Sequence, residues 1–260
     1  MKERIDILLV KKKIVESRIK AKWLIKNGLV FVNNKLIIKS SKRIDNTSKI
    51  LLKKDFPYVG LGGLKLEAAL KSFPISVEGK TCADIGASIG GFTDCLLKHG
   101  ASKIYVIDTA TGLLHPSLLK EEKEGVIIPM LGVDARDSIP IEEKLDICTI
   151  DITFASIKQI LPNVKKKLKS NSDIIALIKP VFEVDFYNET FNIVKDPDHL
   201  FQILKDIIHW NIQHGFYVQN IIRSPLLGRG GSIEFLIHLR IDVLKREFDY
   251  IKRVREIVRY

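Results

Sequence analysis

Four charged side chains interrupt apolar runs where a buried strand ends or a helix begins. Asp151 closes the run Leu145 to Ile150, and Lys179 closes Ile174 to Ile178, just before Pro180. Glu234 stands inside the run Ile233 to Leu239, and Lys65 follows Gly62-Gly63 at the start of a helical stretch. A lysine at the end of a buried strand is costly unless it is paired or used. Two lysines and two acids meeting in one crevice balance each other and make one lysine a candidate base. Each residue alone has a plainer reading. Lys65 suits a surface helix, Asp151 a helix N-cap, and Glu234 an edge strand.

A second cluster occupies residues 81–91, Thr-Cys-Ala-Asp-Ile-Gly-Ala-Ser-Ile-Gly-Gly. A short apolar strand carries Asp84, turns at Gly86, Gly90 and Gly91, and enters a helix from Phe92 to His99. Glycines there permit a tight turn and a close ligand approach to the main chain. The next strand, Lys103 to Asp108, ends in an acid whose carboxylate suits a ribose diol. The spacing is Gly-x-x-x-Gly-Gly rather than the dinucleotide Gly-x-Gly-x-x-Gly. A nucleoside cofactor without a phosphate cradle, S-adenosylmethionine (AdoMet), fits it better than NAD. An ordinary strand-to-helix turn is the competing reading.

The elements that must position these residues alternate. Apolar runs predict strands near 81–86, 103–108, 126–130, 145–150, 173–179, 216–223 and 233–239. Helical spacing predicts helices near 64–73, 91–99, 155–168 and 197–213. That alternation argues for an α/β fold with a mainly parallel sheet covered on both faces. Its crevice lies beyond the carboxyl ends of the strands. Val243 to Val258 alternates apolar and basic residues and reads as a solvated or RNA-facing helix.

Ahead of this lies a different segment. Residues 1–55 hold 16 Lys and Arg against 5 Asp and Glu, whereas the remainder is neutral, so the whole formal charge of +11 sits in the first fifth. A basic head on a neutral body suits a polyanion-binding module. A solubilising lysine face is the alternative. A membrane surface lacks the aromatic amphipathic anchor it needs. Ile5, Leu8 and Leu9 space as one helix and Ser17 starts a second. That second helix interleaves Ile19, Trp23, Leu24 and Ile25 with Arg18, Lys20, Lys22 and Lys26. Asn27-Gly28 ends it, and Asn33-Asn34 predicts a hairpin turn. Residues 1–55 are expected to form this domain, 56–63 a linker with Pro57 and three glycines, and 64–260 the second domain. The three cysteines are scattered, without metal spacing or a disulfide framework. That predicts a cytoplasmic protein with no metal site. The brief apolar run Ile7 to Val10 is too short for a signal core or a membrane span.

Two resemblances sharpen this. Arg4-Ile5-Asp6, Ser17-Arg18-Ile19-Lys20-Ala21 and Gly28-Leu29-Val30-Phe31-Val32-Asn33 resemble the RNA-binding domain first seen in ribosomal small-subunit protein four. That resemblance implies binding of structured RNA through Arg4, Arg18, Lys20, Lys22 and Lys26. Beyond it, six blocks occur in order: Gly62 to Leu70, Asp84 to Ser88, Gly90 to Leu96, Asp151 with Phe154, Lys179-Pro180-x-Phe182-Glu183, and Glu234 to Leu236. They are similar to the TlyA family, often labelled hemolysin A, which joins that RNA-binding head to an FtsJ-like methyltransferase. The fold implied is a Rossmann-like AdoMet-dependent methyltransferase sheet with a small basic αβ RNA-binding domain at its N-terminus.

The family's Lys-Asp-Lys-Glu tetrad falls on Lys65, Asp151, Lys179 and Glu234. The resemblance implies methylation of a ribose 2′-hydroxyl in ribosomal RNA, with ribosomal RNA or subunits as partner and no metal. On that resemblance Lys179 would take the hydroxyl proton, Asp151 and Lys65 would tune and orient it, and Glu234 would position the ribose or Lys65. By the same resemblance Asp84, Gly86, Ala87, Ser88, Gly90 and Gly91 would form the cofactor turn, Asp108 would hold the cofactor ribose and Asp134 the adenine amine. The chain departs from the family at Leu61, Ile89, Val181, Ser232, the segment Thr109 to His115 and the stretch Val184 to Phe191. These departures bear on substrate choice and cofactor affinity. A non-catalytic RNA- or ribosome-binding protein on the same fold is the alternative function. A membrane-lytic protein is a remote one, since no stretch reaches the ~20 apolar residues of a spanning helix. Oligomeric state is not encoded in these features.

Overall fold

The computed structural model describes residues 1–184, 194–241 and 249–259. The chain divides into two compact units, Met1–Leu61 and Gly62–Tyr260.

The first unit is built from β1 (Lys2–Arg4), α1 (Ile5–Lys11), α2 (Arg18–Lys26), β2 (Val30–Val32), β3 (Lys35–Leu36), β4 (Arg43–Asp45) and β5 (Ile50–Leu52). The apolar stripe of α1 is buried as its spacing predicts, at Ile5, Leu8 and Leu9. Ser17 caps α2 by accepting from the Lys20 N–H, and Ala21, Leu24 and Ile25 close the small core. Asn33 and Asn34 both take positive φ, the hairpin turn that joins β2 to β3. Two short strands, β4 and β5, carry too little pattern to be predicted. They pair with β1 and β2. Ile19, expected among the apolar residues of α2, is exposed instead.

The second unit follows the predicted alternation closely. It runs α3 (Leu61–Ser72), β6 (Thr81–Ile85), α4 (Gly91–Lys98), β7 (Lys103–Asp108), α5 (Leu119–Lys123), β8 (Ile127–Leu131) and β9 (Leu145–Ile150). It continues with α6 (Ile157–Lys165), β10 (Leu168–Ile178), α7 (Pro197–Gln213), β11 (Tyr217–Arg223), β12 (Phe235–Arg240) and α8 (Tyr250–Val258). One seven-stranded sheet has the order β11-β12-β10-β9-β6-β7-β8. Strands β8, β7, β6, β9 and β10 are parallel, and β12 is antiparallel to both its neighbours. The central strands are apolar on both faces because both faces are covered.

The order of the strands sets the site. From β6 the chain moves outward to β7 and β8, then returns to lay β9 on the other flank of β6. The carboxyl ends of β6 and β9 therefore border the place where the winding reverses, where open α/β sheets take ligands.

The C-terminal helix corrects one expectation. Of Val243 to Val258, residues 243–248 lie outside the described residues, and so do residues 185–191 of the atypical stretch after Val184. The remainder forms α8, which is not solvated all round. Val254, Ile257 and Val258 are buried in the main core, against α7 and β11. Lys252 and Arg255 stay exposed, while Arg253 is half-buried and donates to the Ile221 carbonyl.

Candidate active site

The four charged residues form two ion pairs at the carboxyl edge of the sheet. Lys65 rises from the first turns of α3 and places Nζ 2.5 Å from Glu234 Oε2. Both are buried, at 9% and 4% exposure, so neither plainer reading holds: Lys65 is no surface lysine and Glu234 is not at an edge. Lys179 ends β10, with Nζ 2.6 Å from Asp151 Oδ1. Its hydrogen bond goes to Thr153 Oγ1, at 3.1 Å. Asp151 does not cap α6; Ser156 does.

Register brings the pairs together. Ile178 pairs with Phe235 across β10 and β12, which sets Lys179 beside Glu234. Ile85 pairs with Ile150 across β6 and β9, and the Asp151 N–H donates to the Ile85 carbonyl, which sets the glycine turn beside Asp151. Gly86 has φ +80°, and a Cβ there would lie 2.5 Å from the Asp151 carbonyl oxygen. The backbone of the turn and the backbone of the acid therefore touch only because residue 86 is glycine.

The cofactor candidates split by what they face. Asp108 is anchored by two main-chain donors, Ser88 N at 2.7 Å and Ala110 N at 2.8 Å. A carboxylate has about four lone-pair sites, so the anchored group keeps acceptors for a diol. Ser88 reaches it from a left-handed backbone, φ 54°. Ala87 is buried, and Gly90 and Gly91 lead into α4, with Gly91 packed on the Gly62-Gly63 backbone. Ile89 is exposed, and its carbonyl accepts from His115 N in the atypical segment. No lysine or arginine stands in residues 84–92. The donor set fits a nucleoside with a free diol and no phosphate.

Two expectations change here. Asp84 does not face the crevice. It is fully buried and accepts from Thr93 Oγ1 at 2.6 Å and Thr149 Oγ1 at 3.0 Å, so it braces the turn from below. Asp134 is already engaged: Arg136 donates to both its oxygens through Nε, Nη2 and the main-chain N–H. Both carboxylate oxygens of Asp134 are therefore taken up by Arg136.

Burial pushes Asp84 up to about 6, against the pull of its threonine donors. Its proton is therefore held in the folded state at a pH where the unfolded chain has lost it. The contribution is fully present below about pH 4 and is lost as pH rises through 6. Asp84→Asn is expected to raise stability over the parent at pH 8 by up to ~2–3 kcal/mol. The gain should shrink toward pH 5 in thermal melts; a pH-independent difference would sink the assignment.

Three polar residues escaped sequence reading: Thr93 and Thr149, which hold Asp84, and Thr153, which holds Lys179. Only Thr149 left a signal, as the polar residue within the apolar run Ile147 to Ile150.

In the basic unit, Asp6 is buried and gathers Arg4 at 3.0 and 3.1 Å and Arg18 at 3.0 Å. The hydrogen bond from Arg4, then that from Arg18, holds Asp6 at about 2 despite its burial. Lys22 and Lys26 are exposed on α2. Lys20 is not: it is 9% exposed, paired with Glu16 at 2.5 Å and seated over the Phe56 ring. Among the described residues no group of acids, histidines and cysteines could hold a metal, and no helix is long and apolar enough to cross a membrane.

Residues 58–241 match the family of FtsJ-like methyltransferases, and residues 3–48 match the S4 domain. The chain is 38% identical to "Putative rRNA methyltransferase YqxC" of Bacillus subtilis, over 92% of this chain and 85% of that one. It is 30% identical to "16S/23S rRNA (cytidine-2'-O)-methyltransferase TlyA" of Mycobacterium tuberculosis, over 91% and 89%. A solved structure, "Putative hemolysin from Streptococcus thermophilus", superposes with a TM-score of 0.73 at 34% identity, covering 99% of this chain and 94% of that one.

Proposed function

The chain belongs to the FtsJ-like methyltransferase family and carries an S4 domain ahead of it, and on that premise we propose that it methylates a ribose 2′-hydroxyl of ribosomal RNA with AdoMet as donor. The observation that carries this reading is Lys179, held by Thr153 and by Asp151, the acid that lies against the glycine turn at the reversal of the sheet. The names of the relatives point the same way.

A ribose hydroxyl is a poor nucleophile at neutral pH and needs its proton removed as it attacks. Lys179 in its neutral form receives that proton at Nζ. Asp151 and Thr153 fix the direction in which Nζ presents its lone pair, and Asp151 stabilises the ammonium that forms. Lys65 and Glu234, locked to each other, line the ribose on its far side. Asp108 holds the cofactor's diol, the Gly86 to Gly90 turn its methionine end, and Asp134 its adenine amine after release of Arg136. AdoMet, when bound, supplies the methyl group on a sulfonium, whose carbon–sulfur bond breaks with the pair left on sulfur. Much of the acceleration then comes from alignment of nucleophile, methyl and leaving group. The basic unit binds RNA through Arg4, Arg18, Lys22 and Lys26, with Lys20 as a packed support. Such chemistry belongs in the cytoplasm, where ribosomes are.

The test compares ribosomal RNA from cells with and without the gene by mass mapping. A single 2′-O-methyl should vanish with the gene, and purified protein with AdoMet should restore it on ribosomal subunits. An unchanged map, with no methyl incorporated in vitro, removes the proposal.

A further inference from the structure

A buried carboxylate outside the tetrad ties together the two loops that carry the base. Glu183 is 9% exposed and follows the 3₁₀ turn Pro180–Phe182, which leads directly from Lys179. Its Oε2 accepts from the Ser156 hydroxyl at 2.5 Å, and its Oε1 from the Ile157 N–H at 3.0 Å. Ser156 in turn accepts from the Lys158 N–H, so its own hydroxyl hydrogen is committed to Glu183. The partners stand at the start of α6, at the far end of the loop that opens with Asp151 and Thr153.

The two loops are thus joined in three places. At one end Lys179 meets Asp151 and Thr153. In the middle the Phe154 and Phe182 rings lie 5.4 Å apart. At the other end stands the Glu183 clamp. The loop between needs holding. Phe154 is 62% exposed and has φ +66°, a left-handed backbone that a phenylalanine adopts at a cost of about 1–2 kcal/mol. Such conformations persist only where surrounding contacts over-determine them. The acid end of the loop is anchored to β9, so the anchor at the α6 end decides whether the loop keeps its shape.

We propose that Glu183 is a positioning residue for the methyl transfer: it clamps the loop 151–156 to the loop 179–183 and so holds Lys179 on Asp151 and Thr153. This rests on the reading of Lys179 as the base. It predicts that Glu183 acts on the chemical step and not on cofactor binding, since neither Ser156 nor Ile157 belongs to the cofactor turn.

Glu183→Ala is expected to lower kcat on ribosomal subunits by about 10–100-fold, the scale of a ~1 Å misplacement. AdoMet affinity by calorimetry should stay within about twofold, and the Ile157 amide should exchange with deuterium faster. Glu183→Gln should recover most of kcat, because its carbonyl accepts from Ile157 and its amide donates to Ser156 Oγ. Ser156→Ala should lower kcat in the same direction, and the double variant Ser156→Ala/Glu183→Ala should be no worse than Glu183→Ala. Asp196→Ala, which removes the N-cap of α7, should lower the melting temperature without touching kcat. If Glu183→Ala keeps the parent kcat, the proposal is overturned while the assignment of Lys179 stands. If Glu183→Ala does not fold, Ser156→Ala carries the test, and a parent kcat there overturns it. Loss of the Lys179 assignment shows separately, as retained activity in Lys179→Ala.

Discussion

Lys179→Ala is expected to lower the rate of ribose methylation by about 10²–10⁴-fold, the usual contribution of a positioned general base. AdoMet affinity should be unchanged, because the cofactor candidates stand on β6, β7 and the loop after β8, not on β10. Lys179→Arg separates two roles for the same residue. Arginine keeps a cation beside Asp151, but it cannot be deprotonated in a protein, so it cannot accept the hydroxyl proton. If the residue works as a base, arginine is as inactive as alanine. Appreciable activity in Lys179→Arg would mean that the site needs only a positive charge there, and the base would have to be sought elsewhere. Incorporation of labelled methyl into purified subunits, at saturating AdoMet, distinguishes these outcomes. Thr153→Val adds a finer test of geometry. It removes the hydroxyl that accepts from Lys179 Nζ, and should lower kcat less than Lys179→Ala does.

What the chain reveals in one dimension depends on how local each feature is. Asp151 and Lys179 drew notice because each closes an apolar run, Glu234 because it interrupts one, and Lys65 because it follows Gly62-Gly63; each had a plainer reading alone, and the family resemblance is what joined the four into a tetrad. The geometry of the pairs was not legible. Lys65 meets Glu234 across 169 residues, and Lys179 meets Asp151, because the register of β12 on β10 and of β9 on β6 sets their heights. Of the two partners expected for Glu234, the ribose or Lys65, the structure shows Lys65. Asp84 looked like a cofactor ligand from its place before the glycines. Strand alternation could not say that it points down onto Thr93 and Thr149. Thr153 and Ser156 were silent, being polar residues in loops, where polar residues are ordinary; Glu183 stood in the block Lys179-Pro180-x-Phe182-Glu183, but with no role attached to it. β4 and β5 have three residues each, too few for alternation to register. β10 begins five residues early, at Leu168, because a bulge around Asn171, with φ 62°, admits Lys169 to Asn171 into a strand without apolar pattern. Helix α8 was expected to be solvated or RNA-facing, and its buried side was missed because a narrow stripe, Val254, Ile257 and Val258, is all that it buries.

The Lys65–Glu234 pair carries the largest stability effect expected for this chain. Both groups are taken almost wholly out of water, and each is tolerable there only through the other. A Cβ at Gly228 would fall 2.1 Å from Glu234 Oε1, so a glycine makes the space in which the carboxylate sits. Lys65→Met strands a buried carboxylate and Glu234→Gln strands a buried ammonium. Each is expected to destabilise the second unit by about 3–5 kcal/mol, the scale for breaking a buried pair from one side. The double variant Lys65→Met/Glu234→Gln leaves no lone charge and should recover most of that loss, because a buried pair replaced by neutral groups of similar volume is close to neutral. Activity should follow a different order. All three variants lose the ion pair that the proposed function sets against the ribose, so the double variant should be stable and still slow. Denaturant melts and methyl incorporation, measured on the same three proteins, separate the two effects. Single variants within about 1 kcal/mol of the parent would show that the pair is well solvated. A double variant with parent activity would show that the pair serves the fold alone, and that the ribose is held by other groups.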